Sequence, residues 1–170
     1  AGLHQLFSQL RRLRKILGDS YALDVVFVDD GSTDRTLEML SKFKNEFASK
    51  PKSGKARLGS FARWRSGKGH VDVTICRHSI NKNLGAALKT GLATVKGDLV
   101  ATVDADCTYP LTDIPKLLEL LDKETDIAIA SPYHPAGKSD IRPAYRLFMS
   151  KAISKTYAIL TRSNIYTFTA

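Results

Sequence analysis

The sequence predicts an α/β fold with a mainly parallel sheet. Two observations carry this: short β-branched, apolar runs alternate with amphipathic stretches of helical period, and each early run ends in a turn rich in Asp, Gly and Asn. Alternation of this kind implies right-handed βαβ crossovers, and ligands of such sheets bind beyond the carboxyl ends of the strands.

The elements follow in chain order. Leu3, Leu6, Phe7, Leu10, Leu13, Ile16 and Leu17 recur at steps of three and four, a helix that Gly18 ends. Leu23 to Val28 is nearly continuous in apolar character, as expected of a strand buried on both faces. The run Asp29-Asp30-Gly31-Ser32-Thr33-Asp34 then turns into a helix carrying Leu37, Leu40, Phe43 and Phe47, with Ser32 or Asp34 suited to capping it. Val71 to Cys76 is a second strand. From Asn83 a helix sets Leu84, Leu88, Leu92 and Val95 on one face. Leu99 to Val103 is a third strand, ending at Asp104-Ala105-Asp106. Ile114, Leu117, Leu118 and Leu121 mark a further helix, Ile127 to Ala130 a fourth strand, and a long helix runs from about Arg142 towards Arg162.

The 170 residues make one domain, 1–170, and 43% hydrophobic content suffices for a buried core. No apolar run reaches the roughly 18 residues of a membrane span, and residues 1–20 lack a signal-peptide pattern. Cys76 and Cys107 lie far apart without metal-ligand spacing, as buried thiols of a reducing, cytoplasmic compartment.

The net charge of +9 is unevenly placed. Residues 42–69 hold nine basic groups against Glu46 alone, and residues 142–170 hold five against none, while the rest of the chain is acidic on balance. Basicity is therefore a property of two segments, and no helix-turn-helix or RNA-motif signature accompanies it, so no nucleic-acid partner is expected. Residues 50–69, mixing Gly, Ser, Pro and basic side chains with Phe61 and Trp64, read as an inserted mobile loop.

Two acidic clusters sit at predicted strand ends. Asp104 and Asp106, two apart on an extended strand, would point the same way and suit Mg²⁺ or Mn²⁺ with diphosphate oxygens; the alternative is that they only cap the turn. In the Asp29-Asp30-Gly31-Ser32 turn a carboxylate is placed to accept hydrogen bonds from a base N–H or a ribose hydroxyl; here too a plain turn with a helix cap is the alternative. His78 and His134 lie near strand ends without metal-ligand neighbours and are assigned no role.

Four blocks, Val26-Phe-Val-Asp-Asp-Gly-Ser-Thr-Asp34, Asn83-Leu-Gly-Ala-Ala-Leu-Lys-Thr-Gly91, Gly97-Asp-Leu-Val-Ala-Thr-Val-Asp-Ala-Asp-Cys-Thr-Tyr-Pro110 and Ala130-Ser-Pro-Tyr-His-Pro-Ala-Gly137, together resemble the family-2 glycosyltransferases. The likeness is strongest to dolichol-phosphate-mannose-synthase-like and polyprenyl-phosphate sugar transferases. It implies a GT-A (Rossmann-like) three-layer α/β/α sandwich and metal-dependent, inverting transfer of a hexose from a GDP- or UDP-sugar. It also implies that Asp29, Asp30, Gly31, Ser32, Asn83, Gly85, Lys89, Asp104 and Ala105 contact the nucleotide sugar. Asp104 and Asp106 would hold the metal, and Asp106 and Arg146 would act in catalysis.

The chain departs from the family pattern in lacking the first strand and in carrying Thr108 where a Gln is frequent, and the 50–69 insertion has no family counterpart. A truncated, inactive domain is the reading that the missing strand raises. Residues 142–151 resemble the acceptor region, in which Arg142 and Arg146, with Lys151 as a further partner, would hold a lipid phosphate. A phosphate oxygen needs no general base, whereas a saccharide hydroxyl does, and residues 127–170 offer only Asp140. The basic, apolar helix from 142 to 162 suits peripheral contact with the cytoplasmic face of a membrane, or plain packing with a solvated basic face.

Overall fold

In the computed structural model, residues 2–48, 71–131 and 144–162 are described. The expected loop at 50–69, Arg142, His134 and Asp140 lie outside them. The chain forms two compact units, Ala1–Lys116 and Leu117–Ala170.

In the first unit, helix α1 (Gly2–Leu17) buries Leu6, Phe7, Leu10, Leu13 and Leu17. Gly18 ends it at φ +55°, its N–H bonded to the Arg14 carbonyl at 3.0 Å. Strand β1 (Leu23–Asp29) leads through the acidic turn to α2 (Thr36–Phe47), whose Thr36 N–H is capped by Asp34 Oδ1 at 2.9 Å. Strand β2 (Val71–Arg77) pairs with β1 in parallel, in a register running from Leu23 opposite Val71 to Asp29 opposite Arg77.

Four phenylalanines form the core between α1, α2 and β1. Phe43 stacks on Phe7 with centroids 4.1 Å apart and on Phe47 at 4.6 Å, and Phe27 meets Phe43 edge-on at 5.9 Å. Arg11 lies 5.2 Å over the Phe43 ring and pairs with Glu46.

Helix α3 (Asn83–Thr94) docks on β1 by its small side chains: the Cβ position of Gly91 is 3.5 Å from Val28 Cγ2, and Ala86, Ala87, Thr90 and Thr94 are half-buried. The leucine face therefore points outward, with Leu84 67% exposed and Leu88 and Leu92 exposed as well. Contacts of Thr90 and Thr94 with side chains of the β2 end hold the opposite face inward.

The expected strands at 99–103 and 127–130 are not formed; among the described residues the sheet has two strands. Strand conformation depends on a ladder partner and a buried face. Leu99, Val100 and Val103 are exposed in the first unit, as are Ile127 and Ile129 in the second. The segment after residue 103 is instead anchored by a 3₁₀ turn, Leu111–Asp113, whose buried Leu111 donates its N–H to Gln9 Oε1 of α1 at 2.6 Å.

The expected helix at 114–121 is short. It forms α4 (Ile114–Leu118), and Leu120 and Leu121 continue it through tighter i→i+3 bonds to Leu117 and Leu118. In the second unit α5 (Ala144–Thr161) realises the long helix expected from about 142 to 162, with Tyr145, Phe148, Met149, Ile153, Ile159 and Leu160 exposed. Among the described residues no helix is long and apolar enough to cross a membrane.

Candidate nucleotide-sugar site

The first acidic cluster is built where β1 and β2 end side by side. Asp29, the last residue of β1, is buried; its Oδ1 accepts the Ser32 N–H at 3.0 Å and its carbonyl accepts the His78 N–H at 2.9 Å. Its other oxygen, Oδ2, has no hydrogen-bond donor and lies 3.6 Å from Arg77 Nε, an ion-pair distance. Arg77 also donates from Nη2 to the Ser32 carbonyl at 3.4 Å. Asp29 thus closes the turn from beneath.

Asp30 faces the opposite segment. Its Oδ1 lies 2.6 Å from His78 Nδ1 and accepts the Lys82 N–H at 2.9 Å. These bonds, His78 first and Lys82 second, hold the Asp30 carboxyl below the ordinary aspartate value against a smaller opposing effect of burial, so it is ionised at neutral pH. His78 Nε2 in turn lies 2.8 Å from Thr90 Oγ1 on α3. Sequence reasoning passed over this histidine. Its signal was positional: Asp30 and His78 each follow the last residue of two strands whose parallel register sets those last residues opposite one another.

Gly31 adopts φ +79° where the turn passes the 80–81 backbone, and Ser32 is half-buried beside it. Asn83 opens α3 at φ +75°, its N–H on Asn81 Oδ1 at 2.9 Å and its own Oδ1 accepting the Ala86 N–H at 3.4 Å. Asn83 is therefore first a helix cap. Gly85 and Lys89 are exposed on the same helix.

The second cluster is a turn rather than a strand end. The Cys107 N–H bonds to the Asp104 carbonyl at 3.3 Å, with Ala105 and Asp106 between them and Cys107 at φ +59°. The convergence expected of two carboxylates on one extended strand therefore loses its basis, because residues 101–104 are not paired into a sheet. Asp104, Ala105 and Asp106 are all exposed. Asp106 Oδ1 accepts the Thr108 N–H at 2.9 Å, and hydrogen bonding from Thr108 keeps its carboxyl below the ordinary value. Burial, and then the neighbouring Asp106 charge, push the Cys107 thiol up; Cys76, half-buried, lies 3.5 Å from Thr94 Oγ1.

Among the described residues no three His, Cys, Asp or Glu side chains form a metal-binding group, and no hydrogen bond or ion pair joins the two acidic clusters. The donor set of Asp104 and Asp106 still fits a hard divalent cation of the kind that takes one or two carboxylates and completes its shell with water and substrate phosphates. Of the residues expected to hold an acceptor phosphate, Arg146 lies on α5, Lys151 is exposed on the same helix, and Arg142 is outside the described residues.

Comparison with known proteins places these residues in context. Residues 2–169 match glycosyl transferase family 2. The chain is 30% identical over 149 residues to the dolichol-phosphate mannosyltransferase of Pyrococcus furiosus, covering 88% of this chain and 34% of that protein. It is 34% identical over 113 residues to the undecaprenyl-phosphate 4-deoxy-4-formamido-L-arabinose transferase of Edwardsiella ictaluri, covering 65% of this chain and 27% of that one. The chain spans about a third or less of the length of these relatives. No solved structure matches it. The parallel β1–β2 pair flanked by helices agrees with the α/β class of a Rossmann-like GT-A domain, and with the match along nearly its whole length the chain belongs to glycosyl transferase family 2.

Proposed function

We propose that this domain serves a metal-dependent, inverting glycosyltransferase that moves a hexose from a GDP- or UDP-sugar to a polyprenyl or dolichyl phosphate. The observation that carries the reading is Asp30: an ionised carboxylate held at the carboxyl end of a parallel strand, where sheets of this class take their ligands. An acceptor-only group in that position suits the N–H of a base or the hydroxyls of a ribose.

Asp104 and Asp106 would hold Mg²⁺ or Mn²⁺ together with the donor diphosphate, neutralising charge on the leaving group. The exposed position and ionised state of Asp106 agree with that role. Both relatives are named for a polyprenyl phosphate, and an anionic phosphate oxygen attacks without a base to deprotonate it. One direct displacement at the anomeric carbon inverts it. Arg146, at the start of α5, would hold the acceptor phosphate, with Arg142 or Lys151 beside it. The exposed Phe148, Met149 and Ile153, interleaved with Lys151 and Lys155, would let α5 lie against an anionic membrane surface, which this reading takes to be the cytoplasmic face.

The test is a melting-temperature panel of GDP- and UDP-sugars with and without Mn²⁺. The reading requires metal-dependent stabilisation by sugars of one base over the other. No shift with any donor, with metal present, would overturn it.

A further inference from the structure

We infer that His78 is the positioning residue of the nucleoside subsite, orienting the Asp30 carboxylate from behind and tying it to α3. The inference rests on the proposed role of Asp30 towards the nucleoside half of the donor.

The ring is held at both nitrogens. Nδ1 lies 2.6 Å from Asp30 Oδ1 and Nε2 lies 2.8 Å from Thr90 Oγ1, with the His78 and Asp30 side chains only 10% and 18% exposed. The ionised Asp30 can only accept, so Nδ1 carries the proton of that bond. In the tautomer protonated only at Nδ1, Nε2 accepts a hydrogen bond from the Thr90 hydroxyl.

The backbone is pinned too, by the 2.9 Å bond from the His78 N–H to the Asp29 carbonyl. The imidazole therefore cannot rotate without breaking a bond to β1's end, to α3, or to both. His78 and the Lys82 N–H share Oδ1, so two donors hold that oxygen, and Oδ2 is left to meet a ligand. A carboxylate fixed in this way recognises a planar ligand without losing rotamer freedom on binding.

The experiment measures the affinity of the whole chain for GMP and UMP by calorimetry, alongside melting temperature. His78→Phe should weaken the preferred monophosphate about tenfold, the low end for losing a hydrogen bond to a charged group. His78→Asn, which keeps a donor near the Nδ1 position, should recover most of that loss. In an Asp30→Ala background His78→Phe should change affinity no further, since its effect runs through the carboxylate. Unchanged affinity in His78→Phe while Asp30→Ala loses it, or a full additional loss in the Asp30→Ala background, overturns the inference and leaves the donor-site reading standing. No binding of either nucleotide by the wild type overturns the donor-site reading, and the inference with it. Should His78→Phe not fold, Thr90→Val decides: a weaker monophosphate supports the positioning role, and unchanged affinity overturns it.

Discussion

Gly31 passes the backbone of Ile80 so closely that a Cβ on it would sit 2.5 Å from the Ile80 carbonyl carbon and 2.6 Å from the Asn81 nitrogen. Both neighbours are backbone and cannot swing aside, and φ at Gly31 is +79°. Gly31→Ala should therefore destabilise the first unit by about 2–4 kcal/mol, the left-handed penalty plus the displaced loop. Urea unfolding checks this; a loss below about 0.5 kcal/mol would show that the two segments part without cost.

Asp30 makes acid stability informative. Its carboxyl is held below the ordinary aspartate value of 3.8, chiefly by His78 and next by the Lys82 N–H. A depressed folded-state value means that the contribution is complete above that ordinary value and is lost as pH falls through the folded one. Asp30→Ala should flatten the acid limb of a stability-versus-pH curve, most visibly below about pH 4. An acid limb identical to wild type would contradict the bonds described.

Phe43 is 2% exposed and touches three aromatic rings. Phe43→Ala should remove about 3–5 kcal/mol, enough to unfold a marginal domain at ordinary temperature. Phe43→Leu, which leaves a smaller void, should remain folded with a lowered denaturant midpoint. Far-ultraviolet circular dichroism distinguishes the two outcomes.

Asp106→Asn should abolish the Mn²⁺-dependent part of nucleoside diphosphate affinity and leave monophosphate binding within about twofold, since the change lies at the diphosphate end. Equal Mn²⁺ dependence in wild type and variant would assign the metal elsewhere.

Arg146→Ala should lower turnover with polyprenyl phosphate by about tenfold or more while donor affinity stays unchanged, as expected when a guanidinium fork to phosphate is lost. Equal losses with a free saccharide acceptor would deny Arg146 a phosphate-specific role.

The elements that the sequence makes legible are those set by local period. The apolar steps of α1 and α2, the β-branched runs of β1 and β2, and the ends marked by Gly18 and Asp34 all appear where the pattern puts them. Leu99–Val103 and Ile127–Ala130 carry the same strand propensity, but a ladder is a non-local event that composition alone does not guarantee. For α3 the leucine stripe was the loudest signal and still faces outward, because the quieter stripe of Ala87, Thr90, Gly91 and Thr94 allows closer approach to β1. His78 shows the same limit at the candidate site. One histidine has no spacing to reveal it, and only the strand register brings it to Asp30.

The bond from Leu111 N–H to Gln9 Oε1 joins positions 102 residues apart. Contacts of such separation slow the search for the native state, because the intervening chain must close before they reward it. During synthesis α1 emerges before residue 111 and cannot complete this contact until that residue has left the ribosome. The stretch that carries Asp104 and Asp106 is thus held by this bond to α1 and by the burial of Cys107 and Leu111, so the order of the acidic turn depends on a contact that spans most of the first unit.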